Sequence, residues 1–342
     1  MQAIRTAFVH RSENRLRAGW RLLIQLILFV VILVGVALFS TAMGRGAGTT
    51  SAASLIYLGS GLGLAWLMAR YIDRRPFAEF GLRLNREWWV DLGFGVALGA
   101  IVMTGIFVSL RSAGWISATR TGVTDLGVPF YWAFMIKMLD LTAVGVNEEL
   151  TFRGYQLKNL AEGLVGRRVS PRRAIALAFL ISSGVFGVAH LANVLVDGAG
   201  PTGVSTLNLV AGGLLLGLPY LMTGQLAISI GLHIALNLFQ GTVYGFPVSG
   251  SPQSTHLFSV QQTGPALWTG GAFGPEGGLI GSMWKLIGCA LAVMWIRQRR
   301  RRFGLYEPLA RYIGVHQPTS GGPAQAIGGA PPTDRRVPTR ES

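Results

Sequence analysis

The chain has 342 residues, half of them hydrophobic and only 13% charged, with a mean hydropathy of +0.45. A soluble domain carries about 25% charged residues, so low charge combined with apolar runs of about twenty residues argues for a bilayer as the solvent. The net charge of +15 does not point to nucleic acid. Its basic residues cluster between apolar runs, as cytoplasmic loop charges do, and are not laid out in stripes with interleaved aromatics.

The fold class expected is all-α, a polytopic membrane protein of about eight transmembrane helices. In chain order these are predicted at 19–43, 52–70, 89–110, 127–157, 173–196, 204–222, 225–244 and 277–296. Arg5, Arg11, Arg15, Arg17 and Arg21 lead into the first. The apolar run that follows is too long for a signal peptide and no small-residue cleavage site ends it, so it reads as a signal anchor that is retained. Arg70, Arg74, Arg75, Arg83 and Arg86 follow span two; Lys158, Arg167, Arg168, Arg172 and Arg173 follow span four; Arg297 and Arg299 to Arg302 follow span eight. The alternate connections carry Arg45, then Arg111 and Arg120, then none. This alternation puts both termini in the cytoplasm and the chain in a plasma (inner) membrane. The resulting organisation is a cytoplasmic basic arm (1–18), three spans with their loops (19–126), a four-helix core (127–244), an extracytoplasmic loop rich in Gly, Pro and Ser (245–276), a last span (277–296) and a basic, disordered tail (297–342). Gly95-x-x-x-Gly99 and Gly213-x-x-x-Gly217 predict close helix packing. The lone Cys289 offers neither a disulfide framework nor a Cys-based metal site.

An ionisable residue inside a span costs about 2.5–3.5 kcal/mol on insertion scales. Those noted are Lys137, Asp140, Glu148, Glu149 and Arg153 in span four, His190 in span five, His233 in span seven and Lys285 in span eight, with Asn147, Asn193 and Asn237 adding neutral polarity. Glu149 and Arg153 are four apart, on one helix face, and predict a buried pair. Glu148 is rotated about 100° from that face, which leaves one carboxylate unneutralised and suited to general base work. His233 and Asn237 also share a face and together can donate to a developing oxyanion. Lys137 and Asp140 predict a pair with each other, and Lys285 either reaches the interface or a buried acid. Taken singly, each His or Asn is more simply an interhelical hydrogen bond; a shared cavity is what would change that reading.

The strings Glu148-Glu149-x-x-x-Arg153, Phe186-x-x-x-His190 and His233-x-x-x-Asn237 occur in order within roughly residues 127 to 240. Together they resemble the three motifs of the CPBP (Abi, CAAX protease and bacteriocin-processing) family, which includes the type II CAAX prenyl endopeptidase. The resemblance implies an intramembrane endopeptidase, glutamic or metallo-type, acting on a membrane-anchored, possibly prenylated, protein or peptide. It implies that Glu148 and His190 activate water, that His233 and Asn237 stabilise the oxyanion, and that Glu149, Arg153 and Phe186 support the site. If a divalent metal such as zinc binds, Glu148, His190 and His233 are its candidate ligands. The rival readings are a non-catalytic, bacteriocin-immunity-type membrane protein and a proton-coupled transporter. At 1.5 Å per residue, His233 lies about 12 Å from the start of its span and His190 about 20–27 Å from the start of its own. Their convergence therefore requires span five to tilt or to start deeper.

Overall fold

The computed structural model describes residues 8–10, 13–197, 203–301 and 304–314, with side chains undescribed at 191–197, 203–207 and 209. Each predicted span is helical. The principal helices are α1 (Ala18–Met43), α2 (Ala47–Leu67), α3 (Arg86–Ser112), α4 (Phe130–Glu149), α5 (Lys158–Leu164), α6 (Pro171–Asp197), α7 (Gly203–Thr223), α8 (Ala227–Asn237), a short α9 (Ala266–Thr269) and α10 (Leu279–Arg300). Wider π-helical turns extend α2 to Asp73, α4 from Leu150 to Leu157 and α8 from Leu238 to Val243. Helices suit this composition because every backbone N–H and C=O is paired within the segment, as hydrocarbon demands.

Among the described residues, five helices are long and apolar enough to cross a membrane: Ala18–Met43, Ala47–Asp73, Arg86–Ser112, Pro171–His190 and Leu279–Arg300. Of the other three expected spans, α7 and α8 are the shorter apolar helices, and α4 carries four ionisable side chains. The chain is an integral membrane protein, and length and apolarity alone make five of the described helices candidate crossings, not eight. Their outer faces are inverted relative to a soluble protein. On α1, Ile27, Val31, Val34 and Leu38 are 54%, 60%, 51% and 65% exposed, while Arg21 and Gln25 are buried.

Small residues set the helix contacts. Gly95 and Gly99 of α3 meet the backbone of α8 at Ile228 and Leu232, with a Cβ on Gly99 falling 2.7 Å from that carbonyl and from Ala235 Cβ. Gly213 and Gly217 of α7 meet Ser183 and Phe179 of α6. Both small-residue patterns therefore act as the sequence predicts. Gly145 brings α4 equally close to Ile234 of α8.

Two features depart from expectation. The loops at 116–123 and 256–262 pair as an antiparallel ribbon, β3 (Ile116–Val123) with β4 (His256–Gln262), whose register breaks between Arg120 and Val123, where Gly122 adopts positive φ. Thr- and Val-containing segments lying outside the helical bundle satisfy their backbone groups in this way. A second, minimal ribbon joins Val9–His10 (β1) to Arg15–Leu16 (β2). The last helix continues to Arg300, and residues 304–314 are packed, with Leu309 and Ala310 buried and Tyr306 N–H donating to Leu221 O at 2.8 Å. The expected disordered tail is thus corrected over its first part; residues 315–342 lie outside those described.

That packed segment covers a buried charge network that the span-by-span reading overlooked. Glu162 accepts from both Arg75 Nη atoms (2.7 and 2.6 Å) and from Arg15 (2.8 Å), and Lys158 approaches it at 3.3 Å. Asp73 accepts from Arg21 at 2.5 Å and lies 3.4 Å from Arg75. The Tyr312 ring lies 3.6 Å from the Arg15 guanidinium carbon, and its hydroxyl donates to Arg74 O. Burial opposes ionisation of Glu162, but Arg75, Lys158 and Arg15 outweigh it and hold the carboxyl well below the usual range. Burial also pulls Lys158 below its ordinary value, against the attraction of Glu162. This network ties the N-terminal ribbon, the end of α2 and the residues after Arg301 to α5, the continuation of the helix that carries the two adjacent glutamates. Asp91, another span residue passed over, is held by Trp295 (2.9 Å), Arg300 (3.2 Å) and Arg299 (3.3 Å).

Candidate active site

Three successive residues near the end of α4 point in three directions, as the 100° step requires. Asn147 is buried against α2, donating to Tyr57 O at 2.6 Å beside Gly61. It is an interhelical tie and not part of the cavity. Glu148 faces a cavity of about 420 Å³. Glu149 is fully buried behind that cavity wall, accepting at one oxygen from Arg153 Nη1 and from His233 Nδ1, each at 2.8 Å. The predicted Glu149–Arg153 pair is present. Arg153 also donates to Gly213 O at 3.2 Å, and its guanidinium sits 4.2 Å from the Phe186 ring centroid.

Phe186 and His190 sit on α6. Phe186 is buried and meets Phe152 edge-on at 5.2 Å and the His190 ring at 4.4 Å. His190 Nδ1 lies 2.8 Å from Phe186 O. A carbonyl only accepts, so Nδ1 carries a proton and Nε2 faces the cavity. That nitrogen is 3.8 Å from Glu148 Oε2. On α8, His233 is anchored through Nδ1 to Glu149, and its Nε2 is also 3.8 Å from the same Glu148 oxygen. Glu148 Oε2 is buried and makes no hydrogen bond. Asn237, one turn beyond His233, lines the same cavity.

All seven residues predicted for the site therefore surround one cavity. Glu148, His190, His233, Asn237 and Phe186 line it, and Glu149 and Arg153 stand behind. The depth mismatch between His190 and His233 has a cause in α8. Its first residues, Leu226 and Ala227, are fully buried, and Leu226 N–H donates to Gly81 O in a turn where Gly81 has φ +96°. A side chain at Gly81 would strike Leu226 and Tyr220. The helix starts inside the protein, so counting residues from its start understates how deep His233 lies. Span five itself begins at Pro171, slightly earlier than predicted, and needs no deeper start.

Some cavity residues escaped notice in the sequence. Asn208 and Gln240 are uncharged amides in apolar helices and raise no charge signal, and Glu276 lies in the connection read as loop. Lys285 carries a signal but was given no chemistry. Its ammonium reaches the carbonyls of Asn208 (2.9 Å) and Glu276 (2.8 Å), neither the interface nor a carboxylate. Lys137 and Asp140 pair at 2.6 Å as predicted, on the cavity wall. The side chain of Asn193 lies outside those described.

The donors of Glu148, His190 and His233 are chemically those of a zinc site, two imidazole lone pairs and a carboxylate oxygen. Among the described residues, however, no three His, Cys, Asp or Glu side chains are arranged to hold a metal ion. The roles of these side chains are derived without a metal.

No curated protein and no solved structure matches the chain. A family model does match, over residues 128–239, described as type II CAAX prenyl endopeptidase Rce1-like. The matched segment runs from the start of α4 into the end of α8 and contains every residue of the three motifs. Over this part the chain is similar to the Rce1-like family of type II CAAX prenyl endopeptidases, a family of peptidases.

Proposed function

We propose that this chain is an intramembrane endopeptidase that hydrolyses a peptide bond in a membrane-anchored, prenylated CAAX-type protein or peptide. The observation that carries the reading is the unpaired, buried Glu148 Oε2, equidistant at 3.8 Å from two imidazole Nε2 atoms. That spacing is too long for direct hydrogen bonds and suits one water that donates to Glu148 and His190 beside His233. Glu148 takes a proton as the water oxygen attacks the scissile carbonyl, while the His190 lone pair orients the water through its second hydrogen. His233 donates from Nε2 only when its ring carries both protons; in that state, and with Asn237 beside it, it offers the oxyanion two donors. Collapse of the tetrahedral intermediate returns the Glu148 proton to the leaving amine. Glu149 and Arg153 fix the His233 ring and do not meet the substrate. In this reading the chain makes eight crossings of a plasma (inner) membrane with both termini cytoplasmic.

The test is cleavage of a quenched, membrane-anchored peptide by purified protein in nanodiscs. Glu148→Gln and His190→Ala each reduce kcat/KM by at least about a hundredfold. Wild-type rates in both variants refute the scheme.

A further inference from the structure

Lys285 is the one cavity cation among the described residues that neither the hydrolytic scheme nor a carboxylate accounts for. It projects from the second turn of α10, beyond the matched segment, and is 9% exposed. No Asp or Glu carboxylate oxygen among the described residues lies within 4.0 Å of its ammonium, whereas Lys137 and Arg153 are each paired. Its nearest acid, Glu276, directs its carboxylate to the Ser249 N–H and hydroxyl and gives Lys285 only its backbone carbonyl. The two carbonyls hold the ammonium in place without neutralising it. Among the described residues, one of its three N–H donors is left over.

A buried ammonium without a counter-ion is costly, and a cost of that kind is relieved when an anion enters. The space beside it is kept open by Gly212, where a Cβ would lie 3.8 Å from Nζ. The next residue, Gly213, gives its carbonyl to Arg153, which pairs with Glu149 behind His233. Two consecutive residues of α7 thus connect the ammonium to the catalytic wall. A CAAX-type peptide, the substrate proposed above, ends a short way past its scissile bond, within reach of this cavity of about 420 Å³. Its end carries a carboxylate.

We propose that Lys285 is the residue that binds the C-terminal carboxylate of the peptide being cleaved. The proposal rests on the endopeptidase reading above. The experiment compares two quenched membrane-anchored peptides that differ only in ending as a free acid or a carboxamide, plus an amide peptide with Asp as its last residue. Wild type favours the free acid over the plain amide by at least about tenfold in kcat/KM, chiefly through KM. Lys285→Met brings that ratio to near one, Lys285→Arg keeps part of it, and Gly212→Val, which crowds the ammonium, lowers it. Equal rates for acid and amide in wild type overturn the proposal and leave endopeptidase activity standing. Rescue by the Asp side chain equal to the free acid also overturns it, in favour of a side-chain subsite. Cleavage of no peptide by wild type overturns the endopeptidase reading, and this proposal with it. The wild-type comparison stands even if a Lys285 variant fails to fold.

Discussion

Replacing Glu149 with Gln and Glu148 with Gln separates architecture from chemistry at two adjacent positions. Glu149 is fully buried, and one of its oxygens accepts two bonds at 2.8 Å from groups able to carry positive charge, Arg153 and His233. Removing that charge leaves Arg153, itself 1% exposed, with a backbone carbonyl and the Phe186 ring. Breaking one side of a buried pair costs about 3–5 kcal/mol. An amide oxygen still accepts one bond, which places Glu149→Gln near the lower figure, about 3 kcal/mol. Glu148 makes no hydrogen bond through its buried oxygen and is 19% exposed. Its Gln variant should therefore alter stability by less than about 1 kcal/mol while abolishing cleavage. Thermal unfolding in a single detergent, followed by circular dichroism, gives the comparison directly. If Glu149→Gln melts with wild type, or Glu148→Gln melts below Glu149→Gln, the division of labour between the two glutamates is wrong.

Three other outcomes follow from separate parts of the molecule. Gly99→Leu forces α3 away from the α8 backbone and should cost about 1–3 kcal/mol, with cleavage falling as His233 moves; a variant as stable and active as wild type would remove the packing argument. Glu162 has its folded-state pKa depressed. The stabilisation from its ionised form is complete above the unfolded value of about 4.3 and is lost as pH falls below it. Glu162→Gln should be less stable than wild type at pH 7, with the difference shrinking in acid; a difference that is constant with pH contradicts the network assignment. Dialysis against a strong chelator should leave peptide cleavage unchanged, since the proposed scheme activates water with Glu148 and His190 alone; loss of activity restored by zinc would reverse that.

Much of the site is readable in the sequence because the bilayer makes polar residues conspicuous. In an apolar helix a glutamate, a histidine and an asparagine stand out, and the 3.6-residue period assigns their faces. That logic placed Glu149 against Arg153, separated Glu148 from both, and set Asn237 one turn from His233. It worked less well where charges lie at helix ends. Arg21, Asp73 and Asp91 look like ordinary interfacial residues one at a time. Arg21 meets Asp73 and Glu162, and Asp91 meets Arg299, across tens to hundreds of positions, and no local spacing relates them. The same limit hid Asn208 and Gln240, whose amides have no charge to flag them, and the β3–β4 ribbon, whose strands are separated by five helices.

The depth of His233 shows how such a limit arises physically. A residue count along a helix measures distance from the helix start, and it becomes a depth only if the start lies at the membrane surface. For α8 it does not, because Leu226 donates to Gly81 O and packs inside the protein. Gly81 belongs to the 77–84 connection, which reads in the sequence as a simple basic loop between spans. That loop enters the bundle because Phe80 is an apolar side chain with no exposed surface, stacked edge-on against Tyr155 at 5.3 Å. One buried phenylalanine in a connection thus draws the start of α8 inward and lets its imidazole reach the glutamate of α4. Polar residues mark which helices share a site, whereas the apolar residues of the loops decide whether those helices meet at one level.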